Sequence, residues 1–306
     1  MVKVRIGTRG SRLALWQADY IEKLLNQMNQ EITLERIIIK TEGDRDQSSS
    51  LTQIGGQGVF TKAIEDALLD NRIDLAVHSL KDLPSNMTPG LCLAAVPERG
   101  PVEDVLVTKE GININDLNKD ASVATGSIRR RSQLLNLRPD LQISDLRGNI
   151  ETRLNKLYQK GLDGIIMARA AIFRLGLDQV KFYTFSTDEM VPGVGQGAVG
   201  VQTRADDSTI NEIVKGISHQ DTFNAVSAER AFLDELDSGC QFPVGAYAQV
   251  LGDRLKITGF VGSEDGREIY RENSKGPVSA ADEIGRELAQ LFIKQGAQEL
   301  LANFNG

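Results

Sequence analysis

The residues of this chain most able to do chemistry are arginines set in turns. Ala124-Thr-Gly-Ser-Ile-Arg-Arg-Arg-Ser-Gln133 and, shortly after, Leu146-Arg-Gly-Asn-Ile-Glu-Thr-Arg-Leu154 each run from an apolar segment through small polar residues into a helical pattern. A third copy of the design opens the chain. Residues 2 to 7 read as a strand and Thr8-Arg-Gly-Ser11 as a turn, while Leu13, Trp16, Tyr20, Leu24 and Met28 form the apolar stripe of a helix with Ser11 near its cap. Backbone N–H groups at a helix start point the same way as guanidinium groups placed there. Arginine adds a planar fork of donors that matches a carboxylate or phosphate and stays charged at any working pH. One such cluster reads equally well as a solvated helix face paired with acids. Three of one design, with Arg9, Arg129 and Arg147 at strand-to-helix switches, point to one large polyanionic ligand.

Val77-His-Ser-Leu-Lys-Asp-Leu-Pro84 puts Lys81 and Asp82 just beyond a buried strand, where open α/β sheets carry their working residues. The plain alternative is a turn-capping Asp82 and a solvent-facing Lys81. Among cations, Asp82 stays ionised at neutral pH and suits stabilisation of a cationic intermediate. His78, inside the apolar run, reads as a hydrogen-bonded core residue rather than a base. Cys92 reads as core. Cys240 lies in a glycine-containing loop with Gln241 and Pro243, and reads as an incidental surface thiol, a nucleophile or an attachment point. Arg153 follows Arg147 on the same helical pattern, and Arg169 and Arg174 follow a strand over residues 164 to 168.

These residues need elements to position them. At 306 residues the chain is long enough for two or three domains, and 41% apolar with 25% charged residues is ordinary for a globular enzyme. A net charge of -7 and 5% aromatic residues argue against an extended nucleic-acid surface. No apolar run reaches a membrane span and no leader pattern opens the chain, so a cytoplasmic protein is expected. Two cysteines make no disulfide framework, and two histidines outside any ligand-spaced cluster argue against a zinc site.

Up to about residue 97, apolar runs alternate with helical patterns: strands at 2–7, 35–40, 75–79 and 91–96, helices to about 29 and at 61–69. This is the βαβ rhythm of a mostly parallel sheet with helices on both faces. It begins again after Pro97-Glu-Arg-Gly-Pro101, with strands at 105–108, 122–124, 142–146 and 164–168 and helices after 127 and at 150–160. Val191-Pro-Gly-Val-Gly-Gln-Gly-Ala198 reads as a second connection, and a strand at 200–202 returns the chain to the first sheet. The remainder predicts a helix at 221–237, an antiparallel sheet from strands at 244–251, 255–262 and 268–272 joined by Asp/Gly turns, and a covering helix through Ile284, Leu288, Leu291, Phe292 and Ile293. Ser48-Ser-Ser50 and Gly55-Gly-Gln-Gly58 mark a loop over residues 42–60 expected to act as a lid.

Gly7-Thr-Arg-Gly-Ser-Arg-Leu-Ala-Leu-Trp-Gln17, Ala76-Val-His-Ser-Leu-Lys-Asp82, Ala124-Thr-Gly-Ser-Ile-Arg-Arg130, Leu146-Arg-Gly-Asn149, Val194-Gly-Gln-Gly-Ala198 and Gly239-Cys-Gln241, in this order, resemble the porphobilinogen deaminase (hydroxymethylbilane synthase) family. The resemblance implies two α/β domains like those of periplasmic binding proteins, over residues 1–98 with 196–218 and over 99–195, with the active cleft between them. A smaller α+β domain with a three-stranded antiparallel sheet, residues 219–306, completes the expectation. A dipyrromethane cofactor is implied, held by a thioether to Cys240. Four porphobilinogen units add to that primer with loss of ammonia, and the linear tetrapyrrole is hydrolysed off.

The same resemblance implies a role for each residue. Asp82 matches the catalytic aspartate, stabilising the positive charge that arises when ammonia leaves and again when the next ring attacks. Lys81, Ser127, Arg129, Arg130, Arg147 and Arg153 match cofactor-binding positions. Arg9, Ser11, Arg147, Arg153, Arg174 and Gln196 match substrate-binding ones. A monomer acting on porphobilinogen is implied, without nucleic acid or membrane, its product passing to a uroporphyrinogen III synthase. Gln53, Gln57, Gly126, Ser238 and Arg169 depart from the usual pattern. A non-catalytic anion-binding protein on the same scaffold has no use for Cys240, and no glycine fingerprint of a nucleotide enzyme follows the first strand.

Overall fold

A computed structural model describes residues 2–28, 31–41, 61–159, 161–237 and 242–302. The chain forms two compact units, residues 1–100 with 197–223, and residues 101–196 with 224–306.

The first unit begins with β1 (Val2–Thr8), α1 (Arg12–Met28), β2 (Ile32–Ile38), α2 (Lys62–Leu69), β3 (Leu75–Ser79) and β4 (Leu91–Ala95). The second contributes β5 (Asp104–Val107), β6 (Ser122–Ala124), α3 (Ile128–Leu137), β7 (Gln142–Ser144), α4 (Ile150–Gln159), β8 (Gly164–Ala168), α5 (Arg169–Arg174) and β9 (Phe182–Thr184). The chain then returns to the first unit as β10 (Val199–Arg204) and α6 (Ser208–Lys215). Helix α7 (Gln220–Glu235) leads to β11 (Val244–Leu251), β12 (Arg254–Gly262), β13 (Ile269–Pro277), α8 (Ala281–Lys294) and α9 (Ala297–Ala302).

Both expected βαβ sheets and the separate three-stranded antiparallel sheet are present, the last ordered β11-β12-β13. The two five-stranded sheets share one plan. Sheet order is β2-β1-β3-β10-β4 in one and β7-β6-β8-β5-β9 in the other. In each, three parallel strands meet an antiparallel strand, β10 or β5, that follows a crossing between units. Beyond it β4 or β9 is again antiparallel to that strand, so each sheet is mostly parallel, as the sequence predicts, with a single reversed strand, β10 or β5. Periodicity reports burial but not strand direction, so nothing in the sequence of β10 or β5 marks the reversal.

Helices cover both faces of the first sheet: Ile21 and Leu25 of α1 with Ile210 and Val214 of α6 on one side, Ile64, Ala67 and Leu68 of α2 on the other. The buried face of α1 is Ala14, Gln17, Ala18, Ile21 and Leu25, one position on from the expected stripe; Met28 is 58% exposed. The small Ala14 and Ala18 let the helix lie close to the sheet, and the larger side chains flank the contact. Helices α5 and α6 and strand β9 have no counterpart in the sequence reading, and β13 runs to Pro277. In the second unit, Leu157 and Ile172 pack on one face of the five-stranded sheet and Leu134 on the other. Phe232 and Phe292 meet edge-on at 5.2 Å between α7 and α8 over the antiparallel sheet.

Candidate functional site

In the first unit β1 and β3 are parallel neighbours, Ile6 opposite Leu75 and Gly7 opposite Ala76, so their carboxyl ends deliver two turns to one edge. After β1 the chain turns through Arg9, and Ser11 Oγ accepts the Ala14 N–H at 3.3 Å, the helix cap the sequence predicts. After β3 a 3-10 turn, Leu80–Asp82, carries Lys81 and Asp82, held to the start of β10 by Leu80 N–H donating to Ala198 O at 3.1 Å. Lys81 is half-buried and Asp82 exposed. Arg9, Ser11, Gln17, Thr61, His78, Ser79 and Asp82 all line one cavity of about 70 Å³. The structure thus brings Arg9, Ser11 and Asp82 together around one small space.

His78 is 5% exposed and its Nε2 meets Gln202 Oε1 at 3.2 Å. Gln202 Nε2 donates in turn to Glu65 Oε1 at 2.9 Å. Burial first, with Arg9 adding to it, pushes the imidazole down to about 4 against the opposing Gln202 hydrogen bond, so it is neutral at pH 7. This is the hydrogen-bonded core histidine of the sequence reading.

The second unit repeats the device. Strands β6 and β7 are parallel neighbours, and their following turns touch: Thr125 N–H donates to Ser144 O at 2.9 Å. A Cβ on Gly126 would lie 2.5 Å from Leu146 O, so in this chain only glycine fits there without a shift. Ser127 occupies the N-cap of α3 without using its side chain as a cap. Arg147 and Arg153 are half-buried on the next turn, where Arg153 Nε donates to Gly148 O and Lys156 Nζ to Arg147 O, both at 2.8 Å. Arg174 is buried at the end of α5.

Arg129 and Arg130 are not on a solvated helix face: they are 6% and 5% exposed and meet at Asp104, which is fully buried at the head of β5. Arg129 Nη2 lies 2.7 Å from Asp104 Oδ2, and Arg130 Nη2 2.7 Å from Oδ1. Gln196 Nε2 donates to Asp104 Oδ1 at 2.9 Å and to Val102 O at 2.7 Å. Burial alone would raise the Asp104 carboxyl, but the two guanidiniums and the Gln196 amide outweigh it and hold it at about 2. Arg131, the third of the run, faces Glu264 at 3.5 Å.

Sequence reasoning missed Asp104. Its signal is an acid opening an apolar strand, which requires a cation when both faces are covered. It also missed Glu229 on α7, fully buried, whose carboxylate accepts the Gly195 N–H and the Ala248 N–H at 2.8 Å each and so ties the glycine loop before Gln196 to β11. Gly245 on β11 rests against Arg129, where an added Cβ would lie 3.1 Å from Cδ of its stem. Cys240, its neighbours Ser238, Gly239 and Gln241, and the 42–60 loop with Gln53 and Gln57 lie outside the described residues.

Two family models match: "Porphobilinogen deaminase, dipyromethane cofactor binding domain" over residues 4–212 and "Porphobilinogen deaminase, C-terminal domain" over residues 223–294. The porphobilinogen deaminase of Syntrophomonas wolfei is 45% identical over 301 residues, covering 98% of this chain and 98% of that one. That of Sulfurimonas denitrificans is 44% identical over 305 residues, covering 99% and 97%. Among solved structures, the probable amino-acid ABC transporter extracellular-binding protein YtmK of Bacillus subtilis has a TM-score of 0.46 at 14% identity, over 71% of this chain and 90% of that one, a level that says nothing about ligands. With family models and relatives matched along nearly its whole length, the chain belongs to the porphobilinogen deaminase family.

Proposed function

We propose that this chain condenses four molecules of porphobilinogen, each losing ammonia, on a dipyrromethane primer held by a thioether to Cys240, and releases the linear tetrapyrrole hydroxymethylbilane. Membership of the family carries the activity; the observation that carries the site is the shared cavity of Arg9, Ser11 and Asp82. The donor chemistry fits the cofactor, because a dipyrromethane bearing acetate and propionate arms needs several fixed cations and hydroxyls. The two contiguous turns of the second unit supply Ser127, Arg129, Arg130, Arg147 and Arg153. When bound, the dipyrromethane provides the nucleophilic pyrrole carbon on which the product is built.

Every other contribution comes from the chain. Asp82 places a carboxylate where positive charge develops as ammonia leaves, and again on the pyrrole nitrogen after attack, then takes up the proton released as aromaticity returns. Arg9 and Ser11 hold carboxylate arms of the incoming substrate beside it, with Arg147, Arg153, Arg174 and Gln196 as further contacts, while Lys81 serves the cofactor. Asp104 acts through Arg129 and Arg130: with both oxygens engaged by guanidinium groups, it sets the direction of each fork. Three domains, 1–98 with 196–218, 99–195 and 219–306, are supported by three sheets with separate apolar cores. We further propose a cytoplasmic monomer that hands its product to a uroporphyrinogen III synthase; among the described residues no helix is long and apolar enough to cross a membrane.

Mass spectrometry of the denatured protein, alongside an assay of tetrapyrrole release from porphobilinogen, tests the reading. A covalent dipyrrole should add to the sequence mass, and Cys240→Ser should abolish both the addition and the activity. An unmodified protein that makes tetrapyrrole overturns it.

A further inference from the structure

Thr61 is 1% exposed, and its Oγ1 is buried without a hydrogen-bond partner among the described residues. A buried hydroxyl left unpaired is destabilising, so natural chains keep one where a ligand completes it. Threonine at a helix N-cap normally accepts an N–H of the first turn, yet at the start of α2 this side chain makes no such bond. The residue instead lines the cavity of about 70 Å³ with Arg9, Ser11, His78, Ser79 and Asp82.

The other groups in that wall say what the hydroxyl meets. Ser11 Oγ already accepts the Ala14 N–H and Ser79 Oγ the Gln17 amide N–H at 2.7 Å, so what each hydroxyl has left to give is its proton. Arg9 brings a guanidinium, a donor only, and His78 brings no charge at neutral pH. Apart from Asp82 the wall is rich in donors, which suits a carboxylate of about the size of an acetate arm.

We propose that Thr61 is a specificity-determining residue of the known reaction: its hydroxyl donates to a carboxylate arm of porphobilinogen seated in the cavity that Arg9, Ser11 and Asp82 share. This rests on the function proposed above and adds to it a contact from the start of α2.

The test compares Thr61→Val, which keeps the shape and removes the hydroxyl, with Thr61→Ser, which keeps the hydroxyl. Thermal melting is followed by the fluorescence of the single tryptophan, Trp16, which lies in the same unit. Steady-state kinetics use porphobilinogen. Thr61→Val should melt at the same or a higher temperature while kcat/KM falls about ten-fold, mostly through KM, as expected for one hydrogen bond to a charged group. Thr61→Ser should stay within about three-fold of the parent. Three results overturn the proposal: unchanged kcat/KM in Thr61→Val, an equal loss in Thr61→Ser, or a lower melting temperature for Thr61→Val, which would assign the hydroxyl a structural partner. A parent protein that forms no tetrapyrrole would defeat the functional reading itself, a separate outcome from any of these.

Discussion

Replacing Asp104 by asparagine isolates the role of the buried carboxylate. Two guanidiniums with side chains 7% and 6% exposed share it at 2.7 Å each. Taking one partner from a buried ion pair costs about 3–5 kcal/mol, because the charges left behind stay desolvated. A second figure comes from titration. The carboxyl is held at about 2 rather than 3.8, and at ~1.4 kcal/mol per tenfold change in proton affinity this stabilises the fold by about 2 kcal/mol. Because the folded value is the lower one, that contribution is complete above pH 3.8 and is lost as pH falls through 2. Native-state hydrogen exchange over β5 and α3 reads the second unit directly, and Trp16 fluorescence reports the first as a control. Asp104→Asn should lower the opening free energy of those segments by about 3 kcal/mol or more at pH 7, with the gap narrowing by about 2 kcal/mol near pH 2, and should reduce retention of the covalent dipyrrole. A loss under about 1 kcal/mol, or one independent of pH, would refute the reasoning that Asp104 anchors the two arginines.

Asp82→Asn should retain the covalent dipyrrole and the melting temperature while kcat falls on the order of 10²-fold or more; near-normal tetrapyrrole formation would remove Asp82 from the reaction. Acid should loosen the first unit, since His78 titrates near 4 when folded and 6.5 when free. The unfolded chain takes up the extra proton between those values, so stability falls as pH drops from 6.5 to 4, by about 3 kcal/mol in all. Urea unfolding followed by Trp16 at several pH values should show this slope in the parent and lose it in His78→Gln; the same slope in both proteins would contradict a buried neutral imidazole.

Much of the site was legible because its parts are local. A strand, a small-residue turn and a helix start follow one another within a few residues at Arg9, at Ser127 and at Arg147, and the alternation of apolar runs with helical periods located nearly every strand of the two α/β sheets. The phase of α1 slipped because the contact is made by Ala14 and Ala18, whose small side chains contribute little to a hydrophobic pattern yet decide how closely a helix can approach a sheet. Strand β9 and helices α5 and α6 have no counterpart in the sequence reading, although β6 and α2, which do, are no longer than β9 and α6.

By itself the sequence determined the elements, the family and the residues able to bind carboxylates, since propensity, turn chemistry and motif order are written along the chain. Only the tertiary structure decided partners. Asp104 was matched to Arg129 and Arg130 across 25 and 26 positions, and His78 to Gln202 across 124. The direction of β5 and β10 was settled in the same way. The physical reason is that a buried charge or polar group must find its complement wherever packing brings one, and no local pattern states where that will be.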